Sequence, residues 1–147
     1  IVFGLVGSEM CIRDSHRATN LSEGQVRGFK GDIIPPDNWK YFNCECKNYA
    51  DFPFHHFLHN KKIPLLEGWI NQTMEIAEEG DVNILFMKFS RKGTYVAFQE
   101  ILLNKGWRSP VHVKYNSEKY GTWIVTSTEE FWSYNTERFE YHCISGI

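Results

Sequence analysis

No apolar run in the chain approaches the roughly 20 residues that a membrane-spanning helix needs, which excludes a helical transmembrane segment. No internal repeat or low-complexity tract is present, so solenoid and fibrous architectures are excluded. An excess of one charge is lacking too: 16 Lys and Arg against 18 Asp and Glu leave a formal net charge of -2. A uniformly basic nucleic-acid binder is therefore excluded, and any affinity for nucleic acid must come from a local patch. There is no glycine-rich phosphate loop. The apolar start, residues 1–7, has neither Met nor a basic region, so it makes a poor secretion signal. The four cysteines then read as reduced thiols in a cytoplasmic setting. Cys44 and Cys46 alternate along one expected strand and cannot readily bridge each other. What is present is a chain of 147 residues, 42% hydrophobic and 16% aromatic, enough to bury a core of its own.

The segment Gly4-Leu5-Val6-Gly7-Ser8-Glu9-Met10-Cys11-Ile12-Arg13-Asp14-Ser15 resembles a translated sequencing adapter, of the kind carried into reading frames assembled from environmental DNA. Residues 1–15 accordingly read as a non-native segment and residues 16–147 as a single domain.

Residues 16–28 are polar and read as a loop. Residues 29–34 read as a strand that stops at Pro35-Pro36. Residues 39–47 alternate, with Phe42, Cys44 and Cys46 on one face and Tyr41, Asn43, Glu45 and Lys47 on the other. Residues 49–62 are aromatic and irregular, with room for one short helix. Pro64 suits a first helical turn, and a helix is expected to run to Glu79 and stop at Gly80. Its expected stripe is Leu65, Trp69, Gln72 and Ile76, flanked by Leu66, Ile70, Thr73 and Ala77. Residues 82–89 and 94–98 read as strands joined by the hairpin signal Ser90-Arg91-Lys92-Gly93. Residues 111–115 and 122–126 read as two further strands. Ser127-Thr128-Glu129-Glu130 fits a capping box before a short helix through Tyr134. The order predicts an α/β or α+β domain.

Chemistry concentrates at Asp32 and at Glu45-Cys46-Lys47. Hydrolysing a phosphodiester requires an activated water and stabilisation of the charge that develops on phosphate. Hard cations such as Mg²⁺ supply both and prefer carboxylate and carbonyl oxygens. Asp32 and Glu45 on neighbouring strands can offer two such oxygens. Lys47, two residues on and on the same strand face, can hold the water and neutralise phosphate. A bare Glu-x-Lys is common, and the blander reading is a solvated strand face with Asp32 in a turn. The apolar surroundings and the helix that follows favour the site.

Together, Gly31-Asp32-Ile33-Ile34, Asn43-Cys44-Glu45-Cys46-Lys47-Asn48, Gly68-Trp69-Ile70-Asn71-Gln72 and Asn83-Ile84-Leu85-Phe86-Met87-Lys88 resemble the PD-(D/E)XK nuclease superfamily. The likeness covers about residues 28–98 and is greatest to phage and archaeal Holliday-junction-resolvase-type endonucleases. It implies a restriction-endonuclease-like core, a mixed central sheet flanked by helices. It implies metal ligation by Asp32, Glu45 and the carbonyl of Cys46, and catalysis by Asp32, Glu45, Lys47 and an inward-pointing Gln72. The implied cofactor is Mg²⁺, with Mn²⁺ as substitute. The implied substrate is branched or replicative phage DNA, cut by a homodimer in the cytoplasm (that of the host, if the gene is a phage's). Family members carry a further acid on an N-terminal helix; Glu23 is the nearest candidate here. The alternative is a non-catalytic relative that binds DNA or protein, its carboxylates kept as structural groups.

Arg27, Lys30, Lys61, Lys62, Arg91 and Lys92, with Arg17, fall in expected loops flanking that site. They are candidates for phosphate contact or simply solvated charge. His55, His56 and His59 near Cys44 and Cys46 match no common zinc spacing. Cys143 beside His142 reads as a packed cysteine rather than a nucleophile. Trp107, Trp123 and Trp132 read as core.

Overall fold

The computed structural model describes residues 35–147. The adapter-like start, the strand expected at 29–34, and Arg17, Glu23, Arg27, Lys30 and Asp32 lie outside those residues. Five strands form one sheet among the described residues: β1 (Phe42–Tyr49), β2 (Val82–Phe89), β3 (Gly93–Gln99), β4 (Val113–Ser117) and β5 (Gly121–Ser127). Their order is β1-β2-β3-β5-β4. β1 runs parallel to β2, and every other pair is antiparallel. Helices α1 (His55–Leu58), α2 (Pro64–Glu75) and α3 (Thr128–Ser145) accompany them. The domain is α+β, the mixed sheet flanked by helices that the resemblance implies.

The parallel pair dictates much of this. Parallel neighbours need a long crossover, here through α1 and α2, and that crossover covers one sheet face. α3 covers the other. Strand alternation then sorts the core into two layers. Cys44, Cys46, Ile84, Phe86, Val96, Phe98 and Ile124 pack with Trp107 and with Phe131, Phe139 and Cys143 of α3. Leu85, Met87, Phe89, Ala97, Trp123 and Val125 pack with Leu66, Trp69 and Ile70 of α2. β1 is buried on both faces from Phe42 to Cys46, so Asn43, Glu45 and Lys47 face α2 rather than open solvent.

The expected β2–β3 hairpin is present, with Arg91 and Gly93 at positive φ in its turn. The capping box is present as well: the Glu130 N–H donates to Ser127 Oγ at 3.2 Å. Other expectations shift. α2 ends at Glu75 and not at Glu79, because Asp81 Oδ2 accepts the Glu78 N–H at 2.8 Å and closes a turn that contains Gly80, whose φ is +86°. Its buried face is Leu66, Glu67, Trp69, Ile70 and Thr73. Ile76, expected in the stripe, is 42% exposed. α3 runs eleven residues beyond Tyr134, to Ser145, because Asn135, Phe139, His142 and Cys143 continue its buried face. β4 sits two residues later than expected. A 3₁₀ helix at Glu100–Lys105, ended by Gly106 at φ +94°, stands where no element was expected.

Candidate active site

The site is assembled by β1 and α2. In the parallel register Asn43 lies beside Asn83, Glu45 beside Leu85 and Lys47 beside Met87, all on the α2 side. The Glu45 residue is only 5% exposed. Lys47 Nζ lies 3.8 Å from Glu45 Oε2, and the two side chains are 12% and 6% exposed. The same ammonium donates to Gln72 Oε1 at 2.7 Å. Opposite charges this close, shielded from most water, attract more strongly than a surface pair would. The strand spacing thus brings acid and lysine to one place, and α2 adds an amide acceptor. Gln72 itself is exposed rather than inward. It stands at the rim of the buried stripe and reaches Lys47 from outside, because the stripe is centred on Leu66, Ile70 and Thr73.

An amide chain that the sequence reading assigned no role holds this arrangement. Asn43 Nδ2 donates to the Thr73 carbonyl at 2.8 Å and to Asn83 Oδ1 at 2.8 Å. Asn83 Nδ2 donates to Gln99 Oε1 at 3.2 Å. Three strands and α2 are thereby tied together one strand step below Glu45. The signal was in the sequence: Asn43 and Asn83 are amides at the site-facing positions of apolar strands.

The candidate phosphate-contacting residues that are described lie on two exposed turns. Arg91 and Lys92 sit in the β2–β3 hairpin at the end of the sheet where β1 finishes, since the Ser90 N–H donates to the Tyr49 carbonyl at 3.1 Å. Lys92 pairs with Asp51. Hydrogen bonding to that ammonium, more than its charge alone, holds the Asp51 carboxyl below the usual carboxylate range. Lys61 and Lys62 precede α2, and Lys62 lies 2.9 Å from Glu118.

The competing constellations do not assemble. Among the described residues no three of His, Cys, Asp and Glu converge as metal ligands. Cys44 and Cys46 are buried on the face away from Glu45. Cys143 is fully buried, and burial pushes its thiol far above the usual range. His142 Nδ1 accepts the Trp107 indole N–H at 2.8 Å, so neither residue is poised as a nucleophile or its base. Trp107 and Trp123 are buried and Trp132 packs against the core, so none is an open stacking platform.

Residues 10–141 match the model of a family described as "phage putative PDDEXK endonuclease". The chain belongs to that family. Every candidate site residue, from Arg27 to Lys92, lies within the matched stretch of this PDDEXK family chain. The family and the mixed, helix-flanked sheet agree on a restriction-endonuclease-like core. No curated protein matches the chain, and no solved structure does. No helix among the described residues is long and apolar enough to cross a membrane.

Proposed function

We propose that this PDDEXK family member is a divalent-metal-dependent endonuclease that hydrolyses phosphodiester bonds of branched or replicative phage DNA. The observation that carries the reading is the meeting of Glu45, Lys47 and Gln72 at the edge of a buried strand face. The donor chemistry fits a hard cation: Glu45 offers carboxylate oxygen and Cys46 its carbonyl, while the β1 thiols pack into the opposite layer. Asp32 is assigned as the second carboxylate. A bound Mg²⁺, or Mn²⁺ in its place, would supply Lewis-acid stabilisation and an acidified water.

The chain's own groups do the rest. Gln72 Oε1 accepts a hydrogen bond from Lys47 and so fixes where the ammonium points. Lys47 places positive charge where negative charge grows on the phosphate and donates a hydrogen bond that orients the attacking water. Glu45 lies 3.8 Å from that ammonium and offers its oxygens to the cation. Arg27, Lys30, Lys61, Lys62, Arg91 and Lys92 contact backbone phosphates. The enzyme acts as a homodimer, which would let both strands of a junction be cut symmetrically.

Incubating the chain with four-way junction, duplex and single-stranded DNA tests this reading, each with Mg²⁺, Mn²⁺ or chelator. Metal-dependent cleavage, fastest on the junction, is expected. Binding without cleavage of any form would leave the protein a non-catalytic member of its family.

A further inference from the structure

Tyr49 ends β1 on the face that carries Glu45 and Lys47, since alternate residues of a strand point to one side. Its register partner is Phe89, and its ring centroid lies 5.0 Å from that of Trp69 in α2, the planes inclined at 53°. Trp69 in turn stacks with Phe52 at 6.0 Å and with Phe89 at 6.1 Å, at interplanar angles of 25° and 21°. Those three rings are buried, whereas Tyr49 is 44% exposed. The Tyr49 main chain is held as well, because its carbonyl accepts the Ser90 N–H. An open ring thus rests on a packed aromatic base at the end of the site strand. Among the described residues the other exposed aromatic rings are Tyr134 and Tyr141. Both belong to α3, on the opposite side of the sheet, and each already faces a guanidinium, Arg108 at 5.3 Å and Arg138 at 5.8 Å. Strand geometry puts Tyr49 about 7 Å from Lys47, roughly two base steps of DNA.

We propose that Tyr49 is the platform on which a base freed from the helix beside the cut stacks, so that the enzyme selects DNA with an unpaired base at that point. That the partner is DNA, cut near Lys47, rests on the nuclease reading above. In a continuous duplex each base is stacked between its neighbours and has no free face to offer. A base unpaired at a branch point exposes one, and an aromatic ring holds it whatever its identity. Tyrosine suits the position, because its ring offers apolar area while its hydroxyl stays hydrated when no DNA is bound. Tyr49 is therefore a positioning residue: it sets which DNA structure is placed against Lys47 and takes no part in the chemical step.

Equilibrium binding in chelator tests the platform, with a flapped duplex carrying 2-aminopurine as its first unpaired base and a continuous duplex of the same sequence. The parent is expected to prefer the flap and to quench its 2-aminopurine fluorescence. Tyr49→Ala is expected to weaken flap binding about 5- to 100-fold, to change duplex binding less than about 3-fold and to abolish the quenching. Tyr49→Phe, which keeps the ring and its contact with Trp69, is expected to retain both preference and quenching. Loss confined to the flap and restored by phenylalanine supports the platform, because a general loss of structure would weaken both DNAs together. Equal losses on the two DNAs, an unchanged preference in Tyr49→Ala, or a loss in Tyr49→Phe as large as in Tyr49→Ala overturns it. A parent that binds both DNAs equally overturns the platform while the nuclease reading stands. A parent that binds neither overturns both.

Discussion

Asn43 in β1 donates a side-chain N–H to the main-chain carbonyl of Thr73 in α2, 2.8 Å away, from a position with no exposed surface. That bond locks the strand carrying Glu45 and Lys47 to the helix carrying Gln72. The same nitrogen serves Asn83, so removing it strands two buried acceptors at once.

Asn43→Leu should therefore cost about 1–3 kcal/mol for each acceptor left without its donor. Urea unfolding followed by tryptophan fluorescence measures it. The midpoint should fall with the slope unchanged. A midpoint equal to the parent's would show that the amide chain does not hold β1.

Glu67 is a second buried polar anchor. It is only 6% exposed and accepts from Tyr115 Oη at 2.8 Å, Ser117 Oγ at 2.7 Å and the Glu118 N–H at 3.3 Å. Burial first, and the bond to Glu67 second, push the Tyr115 phenol up to about 12. The folded state thus keeps the phenolic proton after the unfolded chain has begun to lose it near pH 10. The stabilisation is complete below pH 10 and lost as pH rises from there toward 12. Tyr115→Phe should begin less stable at neutral pH yet decline less over that window. Parallel stability curves for parent and variant would contradict the assignment.

His142 gives the opposite dependence on the acid side. Burial, and after it the charges of Arg138 and Lys105, lower its pKa. Its Nδ1 must stay unprotonated to accept from Trp107. The unfolded chain takes up a proton near pH 6.5 that the folded chain resists, so stability is lost as pH falls through that value. His142→Gln should lose less stability between pH 7 and pH 5 than the parent, as read by thermal unfolding at each pH. An equal loss would mean that other groups carry the acid sensitivity.

Local signals made much of this legible. Alternation in β1 placed Glu45 and Lys47 together, the Ser-Arg-Lys-Gly turn gave the β2–β3 hairpin, and Ser127 with Glu130 marked the start of α3. What was missed depends on distant partners. Apolar residues fill two adjacent rows of α2, so its sequence alone does not say which row is central, and Gln72 was assigned to the wrong one. Glu67 reads as a solvated helix residue because the groups that bury it lie 48 to 51 positions away. α3 looks short because its buried face includes Asn135 and His142. Arg108 and Trp107 satisfy those two from another element.

The proposed nuclease chemistry rests on Lys47, held by Glu45 and Gln72. Single-turnover cleavage of a four-way junction in Mg²⁺, comparing the parent with Lys47→Ala and Glu45→Gln, is its decisive test. Junction binding in chelator, measured in parallel, separates binding from chemistry. Cleavage should fall about 10²- to 10⁴-fold in Lys47→Ala while binding stays within a few-fold. Cleavage at the parent rate in both variants would contradict it.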